Sequence, residues 1–298
     1  MAGESPRGGS GSDERGVPTG AVWRTTVHSM AMPFAIEIVR DDASLVGGRC
    51  PTEEECASAV TAFHRDLVWA DDVFSLWRDD TPLARLARGE ITVDDCPPAV
   101  GDVFAECERY RELTDGAFDA RRPDGVLDPS GVVKTWAVDR AAWRLEALGA
   151  AGWLVGASGD VLVSGAAPGM VPWRVGIADP RDPDDPVGGP TLDVVDLGGG
   201  ADLRFRALAT SGTAQHGEHI WNPATGRTES AYLQASVLGT DLVECDAWAT
   251  AIVAGGAEVA VAAQRRGLEV LCIPRPAAGA APAEATPALA SPGWPGAS

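Results

Sequence analysis

Strand-like and helix-like segments fall in blocks along this chain, and that pattern restricts its fold more than any other feature. Apolar, strand-forming runs cover Thr26–Val39, Trp153–Val155, Asp160–Val163, Trp173–Ile177, Thr191–Leu197, Leu203–Ala209, Ser236–Leu238 and Leu268–Ile273, and several are neighbours parted only by turn residues. A parallel neighbour needs a long crossover, usually a helix, whereas an antiparallel one needs only a turn. The pattern predicts an α+β fold, with a largely antiparallel sheet core and flanking helices, rather than a doubly wound parallel sheet.

The helical segments announce themselves by their ends. Thr52 and Glu55 stand in capping-box spacing, and Ala59, Phe63, Leu67 and Ala70 recur at helical intervals to about Asp72. Pro98 suits a first turn, and that helix runs to Leu113, before Gly116. Thr135 to Leu148 carries Ala137, Ala141, Leu145 and Leu148 on one face and stops at Gly149. Asp241 with Glu244 opens another helix, which ends at Gly255-Gly256, and a short one follows from Ala257 to Arg266. Trp69, Trp143 and Trp153 are expected in the core.

The ends lack the means to fold. Residues 1–20 are Gly-rich and polar, and 274–298 form an Ala/Pro/Gly tract, so both are expected to be disordered around a domain at 21–273. No apolar window of about 18 residues is present to span a membrane, and the N-terminus lacks the apolar centre of a signal peptide. The six cysteines are too sparse and too widely spaced for a disulfide framework or a zinc site, and are read as reduced, mostly buried thiols. A cytoplasmic location follows as the expectation. The formal net charge of −19 repels phosphate backbones and argues against nucleic acid as a partner. It would equally repel a free dinucleotide unless a cation screened the site.

Several segments carry residues suited to chemistry. Asp246 and Thr250 are four apart on an otherwise apolar helix, so a carboxylate and a hydroxyl share one face. Such a pair is a set of hard oxygen ligands for Mg²⁺ or Ca²⁺, and equally an ordinary solvated or hydrogen-bonded pair. Thr210-Ser211-Gly212 ends a strand with hydroxyls and free N–H groups fit for an anion. His219 precedes a turn built on Asn222, Pro223 and Gly226, and can act as a general acid or base or simply satisfy a turn. Lys134, beside Ser130 and Gly131, enters a helix start where side chain and dipole are both positive. Gly116-Ala117-Phe118-Asp119 follows a helix and can set a ring and a carboxylate against a ligand, with Phe118 as plain core the default reading, and Gly156-Ala157-Ser158-Gly159-Asp160 makes a turn between strands. Neither dinucleotide-binding glycine fingerprint occurs in a strand-to-helix setting.

In their order along the chain these segments resemble the ApbE-type FAD:protein FMN transferase family. The resemblance starts with Phe74-Ser75-Leu76-Trp77 and Thr81 to Leu86. It continues through Gly116 to Asp119, Lys134 with Asp139, Gly156 to Asp160, Thr210 to Gly212 and His219 to Gly226, and closes with Asp246 and Thr250. It implies two lobes with FAD in the cleft between them. A divalent cation, Mg²⁺ above all, would be held by Asp246, Thr250 and a main-chain carbonyl, assigned loosely to Gly131. It implies transfer of FMN from FAD to a Thr or Ser hydroxyl of an acceptor flavoprotein, with AMP released and His219 as the base. By the same resemblance Trp77 and Phe118 face the flavin or adenine, and Asp119 and Asp139 bond polar ligand groups. Lys134, Thr210, Ser211 and Gly212 complete the cofactor contacts. Some members mainly hydrolyse FAD to FMN and AMP, and a diverged member can bind flavin without chemistry; the sequence keeps all three open. The pattern departs at Thr135 and Ser158, where the family usually has glycine, and at Trp77, where Tyr is common.

Overall fold

A computed structural model describes residues 21–41, 50–181, 190–199, 204–212, 220–228, 230–276 and 287–296. The first strands, β1 (Val22–Ser29) and β2 (Met32–Val39), form a hairpin. The sequence showed one continuous run here. Met30 and Ala31 break it by taking left-handed φ values of 49° and 58°, which fit the twist of a two-residue hairpin turn.

Helix α1 (Glu53–Phe74) starts at the expected capping box, with Thr52 accepting from the Glu55 N–H and Glu55 accepting from Thr52 N. A short helix α2 (Pro82–Ala87), capped by Thr81, was not anticipated, and α3 (Pro98–Leu113) falls where its proline placed it. Helix α4 spans Ser130–Glu146 and so begins a full turn earlier than expected. Strands β3 (Gly152–Ala157), β4 (Asp160–Gly165), β5 (Trp173–Ala178), β6 (Thr191–Leu197), β7 (Ala207–Gly212) and β8 (Tyr232–Gly239) follow. Helices α5 (Leu242–Gly255) and α6 (Ala257–Arg265) come next, then β9 (Glu269–Pro274) and β10 (Leu289–Ala290).

The main sheet has the order β1-β2-β3-β4-β7-β8-β9-β10, antiparallel at every pairing, while β5 and β6 pair separately. Side chains alternate across it. Phe34, Ile36, Leu162, Ala209, Val237 and Val270 meet the helices in one core. Val163, Leu208, Leu238 and Leu271 turn the other way, onto Trp173, Val195 and Leu197 of the β5–β6 ribbon. The sheet is thus covered by helices on one face and by the ribbon on the other, as its two-sided burial requires.

Two expectations need correction. The Ala/Pro-rich tail does contribute structure: β10 pairs with β9, and Trp294 donates its ring N–H to Asp193 Oδ2 (2.8 Å), so 287–296 find partners that composition could not reveal. Trp69 and Trp143 are exposed, their rings stacked with the guanidinium groups of Arg140 and Arg144 rather than buried, whereas Trp153 is in the core. Residues 1–20 lie outside the described residues. Among those described, no helix is long and apolar enough to cross a membrane, and the cysteines are free thiols, five of them buried.

Candidate active site

The first turns of α4, the β3–β4 turn, the end of β7 and the middle of α5 converge on one cluster. Helices α4 and α5 pack closely, with Thr135 of α4 donating its hydroxyl to Asp246 Oδ2 of α5 (3.2 Å). Beside it, Lys134 Nζ lies 2.6 Å from Asp160 Oδ2 and 3.8 Å from Asp246 Oδ2. Asp160 opens β4 directly after the Ser158-Gly159 turn, and its Oδ1 accepts from the Thr210 N–H (3.1 Å). Thr210 Oγ1 pairs with Ser236 Oγ (2.9 Å), and Ser211 Oγ with Thr250 Oγ1 (3.0 Å). Lys134, Thr210, Ser211, Asp246 and Thr250, predicted from separate segments, therefore meet in space.

Asp160 and Asp246 are 2% and 3% exposed, so this cluster sets two carboxylates against one ammonium in a setting with little water. The Asp246 carboxyl stands raised at about 7: burial pushes it up most, Lys134 pulls it down and Asp160 pushes it up. Burial likewise raises Asp160, against the opposing pull of Lys134 and the Thr210 N–H. Lys134 itself loses water, yet the two carboxylates more than offset that loss and keep it charged well above its ordinary range. With both carboxylates ionised the cluster is one charge short of neutral. Asp246, Thr250 and Ser211 offer oxygen donors only, the chemistry that suits a small hard cation. Among the described residues no group of three or more His, Cys, Asp or Glu side chains is arranged to hold a metal.

Other predicted residues go elsewhere. Phe118 is buried and packs edge-on against Tyr110, with ring centroids 6.4 Å apart, so it serves the core rather than a ligand. Gly131 lies inside α4, and its missing side chain makes room for Phe118: a Cβ there would meet the ring at 3.1 Å. Gly212 is likewise required by packing, since a Cβ would approach the Leu233 carbonyl oxygen at 2.6 Å across the β7–β8 pairing. Asp139 is exposed at its surface; partial burial and then Asp241 raise its carboxyl, while Arg206 pulls it down. Asp119 caps its own turn by accepting from the Arg121 N–H (2.7 Å) and lines a separate cavity of about 460 Å³ with Arg111 and Arg121. Trp77 is 97% exposed. His219 lies outside the described residues. The turn after it is anchored on the last carbonyls of α5, where Asn222 Nδ2 donates to Ala254 O (2.9 Å) and Ser230 Oγ to Val253 O.

Two residues of the cluster escaped the sequence reading. Asp160 was visible only as the end of a turn, yet a lone charge opening an apolar strand was a signal that it needed a buried partner. Thr135 stood out only as a departure from glycine, though it shares the buried stripe of α4 with Val138 and Ala142.

Comparison with known proteins points the same way. The profile of the ApbE family matches residues 120–272, the region that holds every member of the cluster. The FAD:protein FMN transferase of Escherichia coli (strain K12) is 31% identical over 161 residues, 51% of this chain and 43% of that protein. The enzyme of the same name from Salmonella typhimurium is 30% identical over the same shares. The chain thus matches less than half the length of these relatives. The flavin transferase ApbE from Vibrio cholerae superimposes with a TM-score of 0.71 at 21% identity, covering 91% of this chain and 97% of that one. The chain belongs to the ApbE family.

Proposed function

We propose that this protein is an FAD:protein FMN transferase that uses Mg²⁺ or another divalent cation, and that the Lys134–Asp160–Asp246 cluster is its catalytic centre. The observation that carries this reading is the buried Asp246, short of compensating positive charge, beside Thr250 and Ser211 within the family-matched region. Bound at Asp246 and Thr250, the cation would supply neutralisation of the pyrophosphate charge.

The chain's own residues do the rest. The Ser211 and Thr210 hydroxyls and backbone contact the pyrophosphate at the end of β7, and the Lys134 ammonium, held charged by two carboxylates, adds positive potential beside it. A Thr or Ser hydroxyl of the acceptor protein attacks the FMN phosphorus. The bond from that phosphorus to the bridging oxygen breaks, AMP leaves with that oxygen, and the hydroxyl proton passes to His219. Exposed Trp77 is free to stack on a flavin or adenine ring. A cytoplasmic setting, suited to the free thiols, is part of the same proposal.

The test is incubation of the purified protein with FAD, Mg²⁺ and a peptide bearing a Thr/Ser acceptor, with and without EDTA, following AMP and peptide mass together. EDTA-sensitive AMP release with an FMN-sized mass gain is expected, and Asp246→Ala should lower AMP release by about 100-fold or more. Unchanged AMP release in Asp246→Ala would refute the assignment. AMP with free FMN and unmodified peptide would identify an FAD pyrophosphatase instead.

A further inference from the structure

Thr135 departs from the glycine that the family resemblance implies at this position, and the fold buries it. Its side chain is 0% exposed, wedged between α4 and α5, and its single hydroxyl proton has two acceptors within reach: the Val132 carbonyl (3.1 Å), one helical turn back, and Asp246 Oδ2 (3.2 Å). A charged acceptor draws the stronger hydrogen bond, so an ionised Asp246 takes this proton.

The consequence concerns the geometry of the carboxylate. Oδ2 is committed on one side to Thr135 and faces the Lys134 ammonium on the other, whereas Asp246 Oδ1 has no hydrogen-bond partner among the described residues. Thr250 lies one turn along the same face of α5, its Oγ1 already positioned by Ser211. The carboxylate is therefore fixed in rotation before any ligand arrives, with one oxygen spent and one open. Thr135 is β-branched and fully buried, so it is itself held in a narrow range of χ1. Groups that orient a metal ligand from behind in this way typically affect metal affinity by about 10–100-fold.

We propose that Thr135 is a positioning residue that orients Asp246 for a divalent cation, which makes it a metal-affinity determinant of this chain. The inference rests on the metal assignment made above, but its test needs neither FAD nor an acceptor. Mn²⁺ binding to the protein alone, read from the loss of the free-ion electron paramagnetic resonance signal, is compared for the parent and for Thr135→Val, Thr135→Ser and Asp246→Asn. Far-UV circular dichroism and melting in EDTA confirm that each variant folds.

Thr135→Val keeps the shape and loses the hydroxyl, and should weaken Mn²⁺ binding by about 10-fold. Thr135→Ser keeps the hydroxyl and loses a packing methyl, and should stay within about 3-fold of the parent. Parent-like affinity in Thr135→Val, or equal weakening in both variants, would reduce Thr135 to packing and overturn the inference. Mn²⁺ binding that survives Asp246→Asn would remove the site and the inference together. The expected Mn²⁺ pattern without AMP formation from FAD would leave the inference standing and refute the transferase reading.

Discussion

Asp246 gives up its hydration on folding and receives in return one hydroxyl and a share of one ammonium. Its carboxyl accordingly titrates at about 7 in the folded protein, against an ordinary value of 3.8. The sign of the effect on stability follows from proton counting. Between those two values the native state holds a proton that the unfolded chain has released, so this group's contribution to stability falls as pH rises through the window. Asn at this position cannot ionise. In EDTA, the melting temperature of Asp246→Asn relative to the parent should therefore rise from pH 5 to pH 8, by about 2–4 °C for each kcal/mol of relieved strain. A difference that is flat or falls with pH would mean that the carboxylate is adequately compensated without a cation. The same residue shows the trade that a binding site makes, since a carboxylate uncomfortable in the empty protein is the one that gains most from a cation.

The elements show how packing overrides local preference. Gly131, Val132 and Val133 are poor helix formers, which is why the sequence delays α4 to Thr135. Val132 and Val133 are nevertheless buried against the core, and that burial extends the helix back to Ser130, leaving Lys134 inside it rather than at its mouth. In β7, the glycine read as a ligand contact is a packing requirement. Gly212→Ala would set a Cβ 2.6 Å from the Leu233 carbonyl oxygen, a backbone atom that cannot swing aside. This substitution should cost about 2 kcal/mol, measurable by urea denaturation, and should loosen the end of β7 that carries Ser211. A neutral result would show that β8 yields at Leu233. At the other end of α5, Asn222 and Ser230 bond the carbonyls of Ala254 and Val253, which ties the turn behind His219 to the helix that carries Asp246 and Thr250.

On the scale of the whole molecule, the sheet is closed at one edge by a segment distant in sequence from its partners. Ser291 exchanges main-chain and side-chain hydrogen bonds with Val270, and Trp294 bonds Asp193 near the start of β6, so the tail joins the sheet edge to the ribbon across it. Ending the chain at residue 286 would leave β9 as an exposed edge strand, open to pairing with other chains. The shortened protein should melt about 4 °C lower and aggregate sooner on heating, as read by light scattering. Equal melting and scattering would mean that the clasp adds no stability.

The sequence alone determined the α+β class, the antiparallel sheet, the capped start of α1 and the family, because these rest on periodicity, capping chemistry and short motifs that are local by nature. It also supplied Lys134, Thr210, Ser211, Asp246 and Thr250 as candidates, each from its own segment. Only the tertiary structure decided that these five share one site, that Asp160 and Thr135 belong with them, and that Phe118, Gly131 and Gly212 sit in close-packed surroundings. The physical reason is the same throughout. Whether a polar group is a ligand, a cap or a buried ion depends on its desolvation and on partners across the fold, such as the one that joins Thr135 to Asp246 over 111 positions of sequence.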